Sequence, residues 1–317
     1  MLCLLCTTIL LIGGCSSQGS ENKKKKTVVT TIFPLYDWAR NIMGDSDDVE
    51  LILLMSSGSD LHNYQPSVND IIKVTDCDLF VYIGGESDEW AEDIIEEREK
   101  AGKKNLDLID ELSEFIREEE LAEGMQGEAE EGEYDEHIWL SLRIAQKACE
   151  LIRRDLSEID KSNGSKYQQN CSEYVEMLGK LDESYVATVN ESYGNVLLFA
   201  DRFPFRYLVE DYGLTYYAAF KGCSAESEAS FETIRFLAEK ADENGLEYIL
   251  ILENNNGKIA RTIIESTIKK DQEILTIDSM QSVTGSDAAN GASYLHIMQK
   301  NLEVLGKALG RHDFGHK

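Results

Sequence analysis

Apolar and polar positions divide this chain into short apolar runs alternating with amphipathic stretches. Val28-Val29-Thr30-Thr31-Ile32, Val49 to Met55, Leu79 to Ile83 and Leu106 to Ile109 are short and rich in branched residues, so they read as strands. Leu35 to Met43 and Val68 to Val74, lying between them, carry helical spacing. The alternation returns later, with strands at Val196 to Ala200, Tyr216 to Phe220, Tyr248 to Leu252 and Ile274 to Ile277. Phe231 to Asn244 and Lys258 to Lys269 are helical stretches between those strands. A βαβα order predicts a parallel sheet with helices on its faces, here twice. Between the halves, Tyr167, Cys171, Tyr174, Leu178, Leu181, Tyr185 and Val189 are spaced by three or four residues. That spacing predicts one apolar face of a helix about seven turns long. A single glycine, Gly179, and no proline interrupt it, so the connector is stiff. The expected fold is α/β: two lobes with parallel sheets, joined by a long rigid helix and facing across a cleft. In such sheets ligands bind outside the carboxyl ends of the strands.

The start of the chain is of another kind. Residues 1–14 are almost wholly apolar and end in Ile12-Gly13-Gly14-Cys15. The run is too short to span a bilayer and reads as an export signal, although no Lys or Arg precedes it. Small residues before a cysteine resemble a bacterial lipobox, which implies cleavage before Cys15 and lipid attachment to its thiol. Residues 15–26 form a polar tether whose Lys23 to Lys26 suit anionic headgroups. The expected organisation continues with a first lobe over 27–165, the connecting helix over 166–192, a second lobe over 193–310 and a tail over 311–317. The protein is expected to be exported and lipid-anchored on the outer face of the plasma membrane.

Charge narrows the function. The 317 residues carry a formal net charge of −28, so phosphates are repelled and nucleic acid is excluded as a partner. Much of the acid is local, in the run from Glu118 to Glu136. That run reads as a solvated loop, or as a weak cation collector at the cleft mouth. Its excision over 118–132 is expected to leave any tight site intact. Of seven cysteines, Cys77, Cys149, Cys171 and Cys223 belong to the folded body, and none forms a C-x-x-C pair there. Cys149 and Cys171 lie in helical patterns and read as small packing residues, while the pairing of all four stays open.

Two of the five histidines stand in segments suited to a metal ion. Gly58-Ser59-Asp60-Leu61-His62-Asn63-Tyr64-Gln65-Pro66 and Tyr134-Asp135-Glu136-His137-Ile138-Trp139-Leu140 each set one imidazole beside carboxylates and an aromatic ring. A lone histidine is ordinarily a surface or core residue, but two in such segments suit zinc, manganese or iron. His296 reads as a surface position on an amphipathic helix, and His312 and His316 lie on the tail.

Taken in order, these segments resemble the metal-binding lipoproteins of bacterial ABC importers for zinc and manganese. The resemblance runs from Thr27 to about Leu309. It rests on Thr31-Ile32-Phe33-Pro34-Leu35-Tyr36-Asp37, the His62 segment, Asp76-Cys77-Asp78-Leu79-Phe80-Val81-Tyr82-Ile83-Gly84-Gly85, and Asp135-Glu136-His137-Ile138-Trp139-Leu140-Ser141. It implies two pseudo-symmetric lobes with the metal in the cleft, and His62 and His137 as ligands. A third ligand is implied at the end of the second lobe's first strand. No histidine stands there, and Asp201 is the nearest carboxylate, beside Arg202. An Arg202–Asp201 pair would instead leave three ligands. Glu226 and Glu228 are alternative replacements, as is water. The fourth implied ligand is Asp278, after the last strand, where an aspartate also suits turn capping. Glu253 is implied to be structural.

The resemblance implies capture of a divalent transition metal, zinc ahead of manganese, outside the cell. It implies delivery to an ABC permease served by a separate cytoplasmic ATPase, and no enzymatic activity. Two other readings remain. A secreted metallohydrolase would need an open metal position and a base, and the chain has no H-E-x-x-H or G-x-S-x-G. A lipid-anchored adhesin would hold its metal for structure alone.

Overall fold

The computed structural model describes residues 25–127, 132–224 and 228–310. The signal, Cys15, most of the tether, Glu226 and the tail with His312 and His316 lie outside the described residues.

The first lobe is built from β1 (Lys26–Thr30), α1 (Phe33–Met43), β2 (Val49–Leu53), α2 (Val68–Asp76), β3 (Leu79–Tyr82), α3 (Glu92–Lys100), β4 (Lys104–Asp107) and the short α4 (Leu108–Glu111). Two long helices follow, α5 (Leu142–Ile159) and α6 (Gly164–Asn190). The second lobe contains β5 (Val196–Phe203), α7 (Arg206–Tyr212), β6 (Thr215–Lys221), α8 (Phe231–Glu243), β7 (Tyr248–Leu252), α9 (Lys258–Ser266) and β8 (Glu273–Ile277). The helices α10 (Gly285–Ala289) and α11 (Tyr294–Ala308) close the described chain. The sheets have the same topology: β2-β1-β3-β4 and β6-β5-β7-β8, with every pair parallel. Each therefore reverses its winding beside its own first strand, where α/β sheets bind ligands.

Strand cores read as continuous apolar runs because parallel sheets are covered on both faces. Val28, Val29, Leu79, Phe80, Val81 and Leu106 are buried in the first sheet, and Leu197, Leu198, Phe199, Ile249 and Leu250 in the second. Helix starts carry the capping residues that satisfy otherwise orphaned N–H groups. Ser67 and Asp70 cap α2 reciprocally, and Ser141, Ser230 and Ser293 cap α5, α8 and α11.

The 27 residues of α6 extend about 40 Å. Its buried stripe is Tyr167, Cys171, Tyr174, Leu178, Leu181, Tyr185 and Thr188. Val189, expected on this face, is partly buried and packs against the same core, with the buried Thr188 beside it. Tyr174, buried on α6, points its hydroxyl at Asp37 of α1, and Asp37 also accepts from the backbone N–H of Tyr294 at 2.9 Å. Arg40 pairs with Asp37 and reaches the carbonyls of Ala288 and Ala292 at 2.9 and 2.8 Å. One apolar core accordingly runs from Val28 and Trp38 through α5 and α6 to Phe199, Leu250 and Leu305, crossing between the lobes. Among the described residues the four cysteines are free, and Cys149 and Cys171 are wholly buried, as packing residues are. No helix among them is long and apolar enough to cross a membrane.

A buried carboxyl near the first sheet's carboxyl edge sets a pH dependence. Asp88 accepts from the N–H groups of Ile83 and Gly84, both at 3.1 Å. Burial pushes its carboxyl up to about 7 in spite of those bonds, and the Glu136 charge adds to the rise. Between its ordinary range and 7 the unfolded chain releases a proton that the folded chain keeps. Stability from this group is therefore full in acid and is lost as pH rises to about 7, by at most ~1.4 kcal/mol per pH unit. Asp88→Asn should flatten that decline, measured as unfolding midpoint from pH 4 to 7. An unchanged slope would assign the dependence to other groups.

Candidate metal centre

Two loops of the first lobe bring the histidines together. His62 lies in a one-turn 3-10 helix, Leu61–Asn63, beyond β2, and Asp60 caps that turn by accepting from the His62 N–H at 3.1 Å. His137 precedes a second such turn, Ile138–Leu140, that leads into α5. Asp135 Oδ1 accepts from the His137 backbone N–H at 2.9 Å and from its Nδ1 at 2.8 Å. This places the ring proton on Nδ1 and makes Nε2 the acceptor that a cation would use, the arrangement that orients metal-binding imidazoles; here that Nε2 takes a hydrogen bond from the Gln281 amide at 2.8 Å. His62 Nδ1 is likewise held, by Ser87 Oγ at 3.0 Å.

The two Nε2 atoms face each other at 3.2 Å. Two zinc–nitrogen bonds at the tetrahedral angle would set them about 3.3 Å apart. The pair's protonation is asymmetric. Burial, then the neighbouring His137 charge, pull His62 down to about 3. Burial works against the His137 cation too, but the charge and hydrogen bond of Asp135, with Glu119 and Glu136, lift it above its ordinary value. Burial and the neighbouring ring thus favour the neutral form of His62, the form that coordinates.

The surroundings are negative and buried. Asp135 and Glu136 are each 2% exposed. Glu136 accepts from the Ser87 N–H through Oε1 at 2.9 Å, while its Oε2 is buried without a hydrogen-bond partner, 3.7 Å from His62 Nδ1. Burial is the main force raising the Glu136 carboxyl. A cation between the rings would relieve these unbalanced charges.

The second lobe meets the pair with residues other than those expected. Asp201 and Asp278 are not brought to the histidines. β5 runs on to Phe203 with a register shift between Phe199 and Arg202, and such a bulge re-aims side chains. The Asp201 carboxylate consequently accepts from the N–H of Leu252 at 2.9 Å, from Asn255 Nδ2 at 2.6 Å and from the Arg202 N–H at 2.9 Å. It ties β5 to the end of β7. Arg202 pairs with Asp60 across the cleft at 2.7 Å, not with Asp201. Asp278 caps the turn after β8, accepting from the Met280 N–H at 2.7 Å. Burial, then the Glu253 charge, push its carboxyl up to about 6. Glu253 is structural in its contacts: its carboxylate accepts from Ser279 N–H and Oγ at 2.8 and 2.7 Å.

That same turn delivers Gln281, whose Nε2 lies 2.8 Å from His137 Nε2. The turn after β6 delivers Cys223. Among the described residues one group of metal-ligating type forms: His62, His137 and Cys223, with ligand atoms within 4.8 Å of one another. Gly222 permits this approach, since a Cβ there would stand 2.9 Å from His137 Cε1 and 3.0 Å from the Phe203 carbonyl. Glu119 holds the turn by accepting from the N–H groups of Gly222 and Cys223 at 2.9 and 3.4 Å. Burial, then Glu119, push the Cys223 thiol far up.

Glu119 belongs to the acidic run, so the expectation that excision of 118–132 spares the site needs correction. The run is no detached loop. Glu118 bridges to Tyr134, Gln126 donates its N–H to the Ala219 carbonyl at 2.9 Å, and Met125 is buried in the core. Glu228 is exposed and pairs with Lys258 at 3.4 Å, away from the pair. His296 is exposed on α11. In the sequence the thiol is masked by Glu226 and Glu228, the more obvious hard ligands of its segment; a cysteine in an otherwise polar loop is the signal that marks it.

Comparison with known proteins agrees with this architecture. The family model for the zinc-uptake complex component A, periplasmic (ZnuA), matches residues 28–308. The zinc-binding lipoprotein AdcA of Streptococcus pneumoniae is 30% identical over 282 residues, covering 88% of this chain and 54% of AdcA. This chain thus spans about half the length of those relatives. The high-affinity zinc uptake system protein ZnuA of Bacillus subtilis is 30% identical over 291 residues, covering 89% and 87%. The crystal structure of the Zn(II)-bound ZnuA-like domain of S. pneumoniae AdcA has a TM-score of 0.71 at 28% identity, covering 90% of this chain and 99% of that domain.

Proposed function

The chain belongs to the family of the periplasmic zinc-uptake component, and from that premise we propose that it captures zinc outside the cytoplasm and hands it to an ABC permease. The observation that carries this reading is the imidazole pair, with both Nε2 atoms brought to one small volume, 3.2 Å apart. His62 and His137 are the ligands from the first lobe. Neutral imidazoles favour zinc over manganese, which prefers oxygen. The chain acts as a binding protein and not an enzyme. A hydrolytic metal needs an open position for water, and here the approach to the pair is lined by Gln281 and Cys223. Energy for transport comes from a separate ATPase, and a lipid on Cys15 holds the protein at the outer membrane face. The adhesin reading keeps the metal as a fixed structural part, so it predicts no change in uptake.

The experiment has two arms. Metal analysis of protein purified without chelator should find zinc, and calorimetric titration of the apo protein should show one tight site. Cells lacking the protein should lose zinc uptake at low external zinc and regain it with the wild-type chain. Unchanged uptake in those cells would overturn the import role.

A metal that binds only the folded state also stabilises it. Zinc at about 1,000 times its dissociation constant should add about 4 kcal/mol to unfolding, seen as a rise in midpoint with zinc concentration. A midpoint insensitive to zinc would contradict a preformed site.

A further inference from the structure

We propose that Cys223 is the second lobe's ligand, so that the cargo is held by two imidazoles and a thiolate and the site selects borderline and soft cations against manganese. This rests on the capture reading and deepens it. Among the described residues, two side chains of the second lobe come to the histidine pair, Gln281 and Cys223, and the charge of Arg202 acts on His62. Arg202 is a cation engaged with Asp60 at 2.7 Å and cannot coordinate. Gln281 offers a neutral amide, a weak ligand for zinc. Cys223 offers sulfur, and among the described residues it is the second-lobe ligand atom grouped within 4.8 Å of both imidazole nitrogens. The carboxylates expected in this role are engaged elsewhere, Asp201 on three hydrogen bonds and Asp278 on the turn after β8.

The setting suits a thiolate-bound dication. On binding, the S–H bond breaks, a sulfur–metal bond forms and the proton leaves to solvent, so the bound set carries one net positive charge. Two buried carboxylate oxygens without hydrogen-bond partners, Glu136 Oε2 and Glu119 Oε2, lie beside the histidine and cysteine sides of the set. A bound set of net positive charge would face both of them. Gly222 lets the backbone pass against the His137 ring, which brings the next side chain toward the pair. Thiolate and imidazole together favour zinc, cadmium or cobalt over manganese, which suits harder oxygen ligands.

Cobalt(II) and zinc(II) alone, added to the apo protein under a non-thiol reductant, test this. Wild type with cobalt should show an intense near-ultraviolet sulfur-to-metal charge-transfer band. Cys223→Ser should lose that band and bind zinc more than about 100-fold more weakly, beyond the effect of removing a supporting residue. Its manganese affinity should change little, and its apo circular dichroism should match wild type. Cys171→Ser, a buried cysteine away from the pair, should keep the band. Cys223→Asp should narrow the ratio of zinc to manganese affinity.

A cobalt complex without the band, or wild-type zinc affinity in Cys223→Ser, would overturn the thiolate ligand. If His137→Ala still abolished binding in that case, the capture reading would stand with a different second-lobe ligand. Absence of tight zinc binding in wild type would overturn both.

Discussion

His137→Ala should lower zinc affinity by more than about 100-fold, or about 2.8 kcal/mol, the largest loss of any single change in the first lobe. The ring is wholly buried and donates to Asp135, and on the proposed reading its Nε2 is the atom that meets the ion. Its removal deletes one metal bond and leaves the Asp135 carboxylate without the side chain it orients. Asp135→Ala keeps the imidazole but frees its tautomer and rotation, so a loss of about 10–100-fold is expected there. Calorimetry with zinc on apo proteins of unchanged circular dichroism separates the two. Wild-type affinity in His137→Ala would remove that residue from the site.

Excising 118–132 should damage both fold and site. The segment buries Met125, joins Ala219 through Gln126 and supplies Glu119 to the 222–223 turn. Without Glu119 two N–H groups lose their acceptor and the turn that carries Cys223 loosens. Zinc affinity should fall by about 10–100-fold, as for a lost supporting contact, and the apo unfolding midpoint should fall as well. The loss should persist at high salt, because these are local contacts. A diffuse cation-collecting role would instead give a capture-rate effect that disappears with screening and an unchanged equilibrium affinity. The latter result would restore the simpler view of this run as solvated acid.

These two expectations show what could be read in the chain. The lobes were legible because buried parallel strands and a seven-turn amphipathic helix each carry their own local period. The α6 stripe needed only sequence spacing: its expected residues from Tyr167 to Tyr185 are buried and Val189 packs against the same core, while Thr188 is buried as well. His62 and His137 were legible because an imidazole beside carboxylates at the edge of a sheet is chemically conspicuous within a few residues. The second lobe's contribution was not. Asp201 is at the expected place along the chain, but a bulge in β5 turns its carboxylate toward β7. Asp278 also ends its strand as expected, yet the turn it caps carries Gln281 to the pair instead. Such choices depend on which backbone N–H groups need acceptors across space, and no local pattern records that. The partner of Arg202 illustrates the point: Asp60 lies 142 positions away in sequence and 2.7 Å away in the fold.

The apolar core that crosses between the lobes bears on how long an ion stays. Parting the lobes widely would strip packed side chains along α5 and α6 of their neighbours and expose them to water, at roughly 25 cal/mol per Å². Wide parting of the lobes is therefore a costly way for the proposed site to empty. Dissociation of the ion is then limited by small displacements of the His62 loop and the turns bearing Gln281 and Cys223, and the residence time is long whenever those turns are quiet. On the proposed capture reading, rapid unloading would then call for an outside contact that displaces these few turns.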